Sequence, residues 1–333
     1  MLSNGLTLDN SYYLLNASFG DRWFIASMLG HLFDHDDKAY VIAVNADKEL
    51  LRIFLGERVS RVSFINQDLA NQIHRACKAD PNSYMPSAGS GMAARVFPQR
   101  GCIRSLHVVD YPYFVELNVS RYVRHLNLLR TIMHIPEGAM MAMPPFLDSV
   151  DEECAEAMLS DAGLLNCKSA IINPVHFTHR ALSLETYIGV CDLLRCRGYK
   201  VAFNVAQSSD SGMASNLKNG TDASIISLPG HLIKSIFDKV SLCVGPIGGA
   251  MSIANGFSAC NVFSIYTPAK FTPKLNRPTR HIDPHEFEMG IAEPRPVKPR
   301  LSRGSSYVSG SGVEEFNLIE RELEDMLNDI DQL

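Results

Sequence analysis

A hydrophobic strand, Ser241–Gly245, runs directly into the turn Gly245-Pro246-Ile247-Gly248-Gly249-Ala250-Met251-Ser252 and then into a helix. Glycines at a strand-to-helix turn let backbone N–H groups approach a phosphate. The helix amino terminus adds unpaired donors and the positive end of its dipole. A diphosphate is the ligand such a turn suits. The spacing departs from the Gly-x-Gly-x-x-Gly dinucleotide fingerprint, however, and a tight structural corner uses glycine for the same steric reason. A second cluster, His176, Thr178, His179 and Arg180, crowds one loop after an apolar strand end, the edge at which open α/β sheets bind ligands. Metal binding by His176 and His179 is the competing reading, and no carboxylate or cysteine stands at ligand spacing beside them. The acidic run Asp34-His35-Asp36-Asp37 reads as a solvated turn. The absence of a Gly-x-Ser-x-Gly elbow argues against a Ser-His-Asp hydrolase.

These clusters need a scaffold. A chain of 333 residues exceeds one α/β core, which stops growing near ~250–300 residues, and suits two. The first half offers a short strand at Tyr12–Leu15, a polar turn Asn16–Asp21, and an apolar helix from Trp23 to about Phe33, with Ile25, Met28, Leu29 and Leu32 at helical spacing. Strands Ala39–Val44 and Val62–Ile65 follow, and Ile65, Leu69 and Ile73 then repeat every four residues. Alternating β and α is the pattern of a parallel sheet covered by helices. Residues 79–104, rich in Pro, Gly, Ser and Met, read as a long loop. The proline-bearing segment Pro136–Val150 reads as a linker, giving domains at 1–150 and 151–333. The second half repeats the scheme with strands Ala170–Ile172, Lys200–Val205, Ala223–Ser227, Ser241–Gly245 and Asn261–Tyr266, and helices Leu184–Arg195 and His231–Val240. Thr267–Gly312, proline-rich and basic and then Ser/Gly-rich, reads as extended. A final helix, Val313–Ile330, carries apolar residues at 316, 319, 323, 326 and 330 and must dock. The expected architecture is α/β, two Rossmann-like domains facing a cleft.

Composition narrows the function class. The formal charge of −5 gives no pull toward nucleic acid, and 46% apolar with 20% charged residues is ordinary for a globular protein. The amino terminus has no Lys or Arg before Tyr12–Leu15, too short a run for a signal-peptide core, and no stretch reaches ~18 apolar residues. The eight cysteines (77, 102, 154, 167, 191, 196, 243 and 260) form no Cys-x-x-Cys pair and read as reduced core residues of a soluble, cytoplasmic protein.

The order of landmarks over residues 170–266 resembles the lipopolysaccharide heptosyltransferase family, glycosyltransferase family 9, with its glycosyltransferase-B fold. The strand and proline loop Ile171-Ile172-Asn173-Pro174-Val175-His176, the Gly198-Tyr199 pair, the turn Leu228-Pro229-Gly230 and the glycine turn through Gly249 stand in the family's order. Near the amino terminus Phe19-Gly20-Asp21-Arg22-Trp23 stands where the family has a Gly-Asp pair before an apolar helix. The resemblance implies a metal-independent, inverting transferase of hexosyl or heptosyl type in polysaccharide biosynthesis, with Asp21 as the base that deprotonates the acceptor hydroxyl. A positioned base contributes typically about 10²–10⁴-fold. Asp21 reads equally as a cap of the following helix. The resemblance also implies a donor site drawn from Pro174, His176, Thr178, His179, Arg180, Leu228, Gly248, Gly249, Ala250, Met251 and Ser252. No cofactor is expected beyond the nucleotide-diphosphate sugar as substrate. A glycan or glycolipid is the implied acceptor, with peripheral membrane contact among the partners it allows and no nucleic acid. Where the family carries Asp-Ser/Thr-Gly and a histidine in the first helical turn, this chain has Ile247-Gly248-Gly249 and Ser252, and His179 or Arg180 stands for its usual lysine. Those departures make a catalytically inactive nucleotide- or glycan-binding protein of the same fold the alternative, with a sugar-nucleotide epimerase of similar architecture behind it.

Overall fold

The computed structural model describes residues 11–15, 19–72, 85–86, 93–95, 105–109, 135–136, 138–174, 182–205, 211–267, 300–305, 308 and 312–332. The chain divides into two compact units, residues 1–147 with 292–294 and residues 148–291 with 295–333.

In the first unit β1 (Ser11–Leu15), α1 (Phe19–His35), β2 (Ala39–Val44), α2 (Lys48–Leu55) and β3 (Val62–Ile65) alternate, followed by the short strands β4 (Met85–Pro86), β5 (Ala93–Arg95) and β6 (Ser105–Val109). The sheet order is β3-β2-β1-β6-β5-β4. Strands β3, β2, β1 and β6 run parallel, and β5 and β4 extend the sheet antiparallel from β6. Residues 79–104, read from the sequence as loop, thus contribute both β4 and β5. Helix α1 is apolar on nearly every side, from Trp23 through Phe33, because it is covered from more than one direction. Trp23 meets Phe54 of α2 edge to face, centroids 5.4 Å apart. The proline-bearing segment after Ile135 straps the same helix pair: Ala142 N–H donates to Ser27 O, Phe146 N–H donates to Ile53 O, and a ring nitrogen of His31 lies 2.8 Å from Met140 O. Arg61 closes the far end of α1, its guanidinium bonding the carbonyls of Phe33, Asp36 and Ala39 and stacking 4.3 Å from the Phe33 ring. A cation at a helix carboxyl end satisfies orphan carbonyls and complements the dipole.

The second unit contains α3 (Ser149–Asp161), β7 (Ser169–Ile172), α4 (Leu184–Cys196), β8 (Lys200–Asn204), α5 (Ser211–Gly220), β9 (Ser224–Ile226), α6 (Ile233–Asp238), β10 (Leu242–Pro246), α7 (Gly249–Phe257), β11 (Asn261–Ile265), β12 (Ser302–Gly304) and α8 (Val313–Ile330). Its sheet, ordered β12-β11-β10-β7-β8-β9, is parallel throughout. Numbered from the first strand of the unit, this is the 3-2-1-4-5-6 order of a dinucleotide-binding fold. The central strands β7, β10 and β11 are buried at every residue, whereas the edge strands β9 and β12 are half-buried, as a sheet covered on both faces requires. Three of the cysteines, Cys191, Cys243 and Cys260, pack in this core; Cys154, Cys167 and Cys196 are exposed, two of them on the solvent faces of α3 and α4.

Helix α1 starts at Phe19, ahead of the expected Trp23, so Asp21 lies inside it, and three elements of the second unit also differ from the sequence expectation. Helix α3 follows the proline segment at once, started by a capping box in which Asp148 accepts from Asp151 N–H and Asp151 accepts from Asp148 N–H. Helix α5 stands in a polar stretch and buries Leu217, and β12 forms within the segment read as extended. The terminal helix α8 lies on α4: Phe316 sits where a Cβ on Gly189 would come within 2.6 Å of its ring. Glu315, 1% exposed, accepts from Ser183 N–H at 2.9 Å and from the Thr186 hydroxyl at 2.6 Å, so α8 caps the start of α4. Truncating Glu315 leaves two donors there short of an acceptor, at about 1–3 kcal/mol for a buried group. Glu315→Ala is therefore expected to lower the melting temperature by several degrees in a thermal scan. An unchanged melting temperature would mean that α8 is not pinned through this carboxylate.

Candidate functional site at the carboxyl edges of the sheets

In an open parallel sheet, ligands bind outside the carboxyl ends of the strands where the strand order reverses. In the second unit that point lies between β7 and β10. Strand β7 leads into Asn173-Pro174, and β10 leads through Ile247-Gly248 into α7. The two segments touch. Asn173 N–H donates to Val244 O at 2.8 Å, and a Cβ on Gly245 would stand 2.6 Å from Asn173 O. Gly245 is thus required by close backbone approach. Gly248, by contrast, is extended and needs no unusual dihedral.

The glycine turn begins a helix whose amino end no side chain caps among the described residues. Its first α-helical bond is Ser252 N–H to Gly248 O, so the N–H groups of the first turn ahead of it face outward from the helix start. Gly248, Gly249 and Ala250 are half-buried, while Met251 and Ser252 are 1% and 2% exposed. The Ser252 hydroxyl donates back to Gly248 O at 2.8 Å. Ile247 is buried too, its N–H donating to Ile265 O. What this turn presents is backbone: a cradle of N–H donors at a positive helix end, suited to a phosphate.

A chain of side-chain amides runs along the same edge. Leu228 N–H donates to Asn204 Oδ1 at 3.1 Å, Asn204 Nδ2 donates to Asn173 Oδ1 at 2.8 Å, and Asn173 Nδ2 lies 3.5 Å from Met251 Sδ. Pro174 is held as well, its carbonyl accepting from the buried Tyr187 hydroxyl at 2.9 Å. Of the donor-site residues expected from sequence, Pro174, Leu228, Gly248, Gly249, Ala250, Met251 and Ser252 therefore gather at this one edge. His176, Thr178, His179 and Arg180 fall in 175–181, outside the described residues. Asn173 and Asn204 were not among the expected residues, although each is a polar residue closing an apolar strand at a carboxyl end, a signal visible in the sequence.

In the first unit the order reverses between β1 and β6, and α1 begins after β1. Asp21 lies in the first turn of α1, after the buried Gly20, with its side chain outside the described residues. The next residue, Arg22, pairs with Asp47 at 2.8 Å, joining this turn to the start of α2 beside the neighbouring strand β2. Burial pushes the Asp47 carboxyl above the ordinary carboxylate range, with Arg22 opposing, and Asp47 Oδ2 is buried without a hydrogen-bond partner among the described residues. Among the described residues no group of three His, Cys, Asp or Glu side chains is assembled as a metal would need, and no helix is long and apolar enough to cross a membrane.

With this geometry in view, the comparisons speak to the fold. No protein-family model matches the sequence, and no curated protein matches it. Solved structures do. The chain is similar to the ADP-heptose lipopolysaccharide heptosyltransferase II of E. coli, at 12% identity over 97% of this chain and 99% of that one, with a TM-score of 0.55. It is also similar to the E. coli heptosyltransferase WaaC with ADP, at 11% identity over 95% and 97%, TM-score 0.51, and to WaaC with ADP-2-deoxy-2-fluoro heptose, at 9% identity over 95% and 99%, TM-score 0.51. The fold is therefore that of the glycosyltransferase-B proteins, α/β with two Rossmann-like domains, and the resemblance to heptosyltransferases extends over nearly the whole chain.

The contact between Gly245 and Asn173 gives a direct check on the edge. A methyl group 2.6 Å from a backbone oxygen cannot be absorbed by a side-chain rotation, and overpacking of this kind costs about 1–3 kcal/mol. In Gly245→Ala the Asn173 amide proton is expected to exchange faster with solvent and the melting temperature to fall. Wild-type exchange at Asn173 would show that the two strand ends are not in contact.

Proposed function

We propose that this protein is a glycosyltransferase that moves a sugar from a nucleotide-diphosphate donor to a hydroxyl of a glycan or glycolipid. The observation that carries the reading is the Gly248-Gly249-Ala250 helix start, which no side chain caps among the described residues, at the strand-order reversal of a parallel 3-2-1-4-5-6 sheet. The fold-level likeness to enzymes whose structures hold ADP or an ADP-heptose analogue supports it. In this reading the donor diphosphate lies against the first turn of α7, whose N–H groups stabilise the negative charge that grows as the bond from the anomeric carbon to the phosphate oxygen breaks. The acceptor oxygen attacks that carbon from the opposite side, its proton passes to Asp21, and the nucleoside diphosphate departs with inversion at the sugar. The proposed reaction needs no metal, with backbone donors and a basic side chain, His179 or Arg180, supplying the charge. The proposal extends to a hexosyl or heptosyl sugar and to work in the cytoplasm on polysaccharide assembly.

Full-length protein incubated with a panel of ADP-, UDP- and GDP-sugars and a mixed glycan acceptor is expected to release nucleoside diphosphate, with the same rate after chelation by EDTA. Asp21→Asn keeps the side-chain shape and an acceptor oxygen in the first turn of α1 but cannot take the proton. It is expected to lower kcat by about 10²–10⁴-fold while donor affinity and melting temperature stay close to wild type. Full turnover in that variant removes Asp21 from the mechanism, and retained donor binding with no turnover on any acceptor removes the transferase.

A further inference from the structure

The amide chain Leu228–Asn204–Asn173–Met251 crosses four consecutive strand ends. Leu228 follows β9, Asn204 closes β8, Asn173 follows β7, and Met251 stands in the first turn of α7 after β10. Those strands are neighbours in that order. The orientation of both amides is fixed from one end. Leu228 N–H is a backbone donor that cannot reverse, so the oxygen of Asn204 must face it and its NH2 must face Asn173. Asn173 then turns its oxygen to Asn204 and its NH2 toward the Met251 sulfur. Asn173 is 3% exposed, so loss of its partner leaves a buried polar group unsatisfied.

We infer that Asn204 and Asn173 are positioning residues for nucleoside diphosphate binding: their hydrogen-bonded pair sets the spacing between the Leu228 turn and the amino end of α7. This rests on the donor-site reading above. The α7 end offers donors at fixed places, and its use depends on where the opposite loop stands. Parallel strands leave their connecting loops untied to one another at the carboxyl edge, because the ladder of backbone bonds stops where the strands stop. Between β7 and β8, whose ladder ends at Ile172 and Phe203, the two asparagines continue the lateral connection one step further. Asn204 touches no phosphate; it acts through Leu228 and Asn173.

The test is calorimetric titration of the full-length protein with ADP, UDP and GDP, each separately, at a temperature where every variant is folded by circular dichroism. Asn204→Ala is expected to weaken binding of the nucleotide that wild type prefers by about tenfold or more, the scale of one lost hydrogen bond with its unpaired partner. Asn204→Ser, whose hydroxyl cannot reach both Asn173 and Leu228, is expected to do the same and serves if the alanine variant does not fold. Glu315→Ala, destabilised on the α8 side of the unit, is expected to bind as wild type does. This comparison separates positioning from general stability. Asn204 variants that are destabilised yet bind with wild-type affinity overturn the inference and leave the donor site standing. A wild-type protein that binds none of the three nucleotides overturns both.

Discussion

Parallel strand pairing is the constraint from which the rest of this structure follows. A parallel pair cannot be joined by a tight turn, so each crossover must leave the carboxyl edge of the sheet, travel back along a face as a helix, and re-enter at the amino edge. Every crossover helix then begins at the carboxyl edge and aims its unpaired N–H groups there. Where strand order reverses, adjacent crossovers go to opposite faces and the edge opens. The second unit meets this condition between β7 and β10, and the first unit between β1 and β6. The glycine turn before α7 and the Gly20-Asp21 start of α1 owe their placement to this topology, not to any special local sequence.

What fills the opening is decided by close packing. Gly245 lets the end of β10 lie against the backbone of Asn173, and the asparagine pair ties the strand ends laterally. The side chains of Ile247 and Ser252 do not line the opening. Ile247 is buried in the unit and the Ser252 hydroxyl is turned onto its own helix, so the turn keeps its backbone donors and offers no side chain of its own from those two positions. Any charge-balancing group must come from elsewhere. Under the proposed reading, a diphosphate would be held here by geometry, which makes the stiffness of the surrounding edge matter more.

The sequence shows the central strands clearly because burial on both faces demands unbroken apolar runs, as in Ala170-Ile171-Ile172 and Leu242-Cys243-Val244. It also shows α8, whose stripe at 316, 319, 323, 326 and 330 has one wet face. Elements with little apolar surface are hidden. Helix α3 buries only Asp151, Ala155 and Leu159, and β12 is Ser302-Arg303-Gly304, with no apolar residue at all and its place fixed by pairing with β11. Helix α2 carries a signal in Leu50, Leu51, Ile53, Phe54 and Leu55 that a strand-to-strand reading passes over. At the site, the glycine turn is legible because strand, glycines and helix are contiguous. The Asn204–Asn173 bond is not, since it joins residues 31 apart and exists only once β7 and β8 are neighbours in register.

The central claim is that the α7 helix start is the diphosphate site, and the most direct measurement is a crystal structure of the full-length protein with the nucleoside diphosphate that it binds more tightly. The account predicts terminal phosphate oxygens within hydrogen-bond distance of the N–H groups of Gly249 and Ala250, beside an Asn173–Asn204 pair left intact. A diphosphate bound at any other place on the protein, with that helix start facing only solvent, would contradict it.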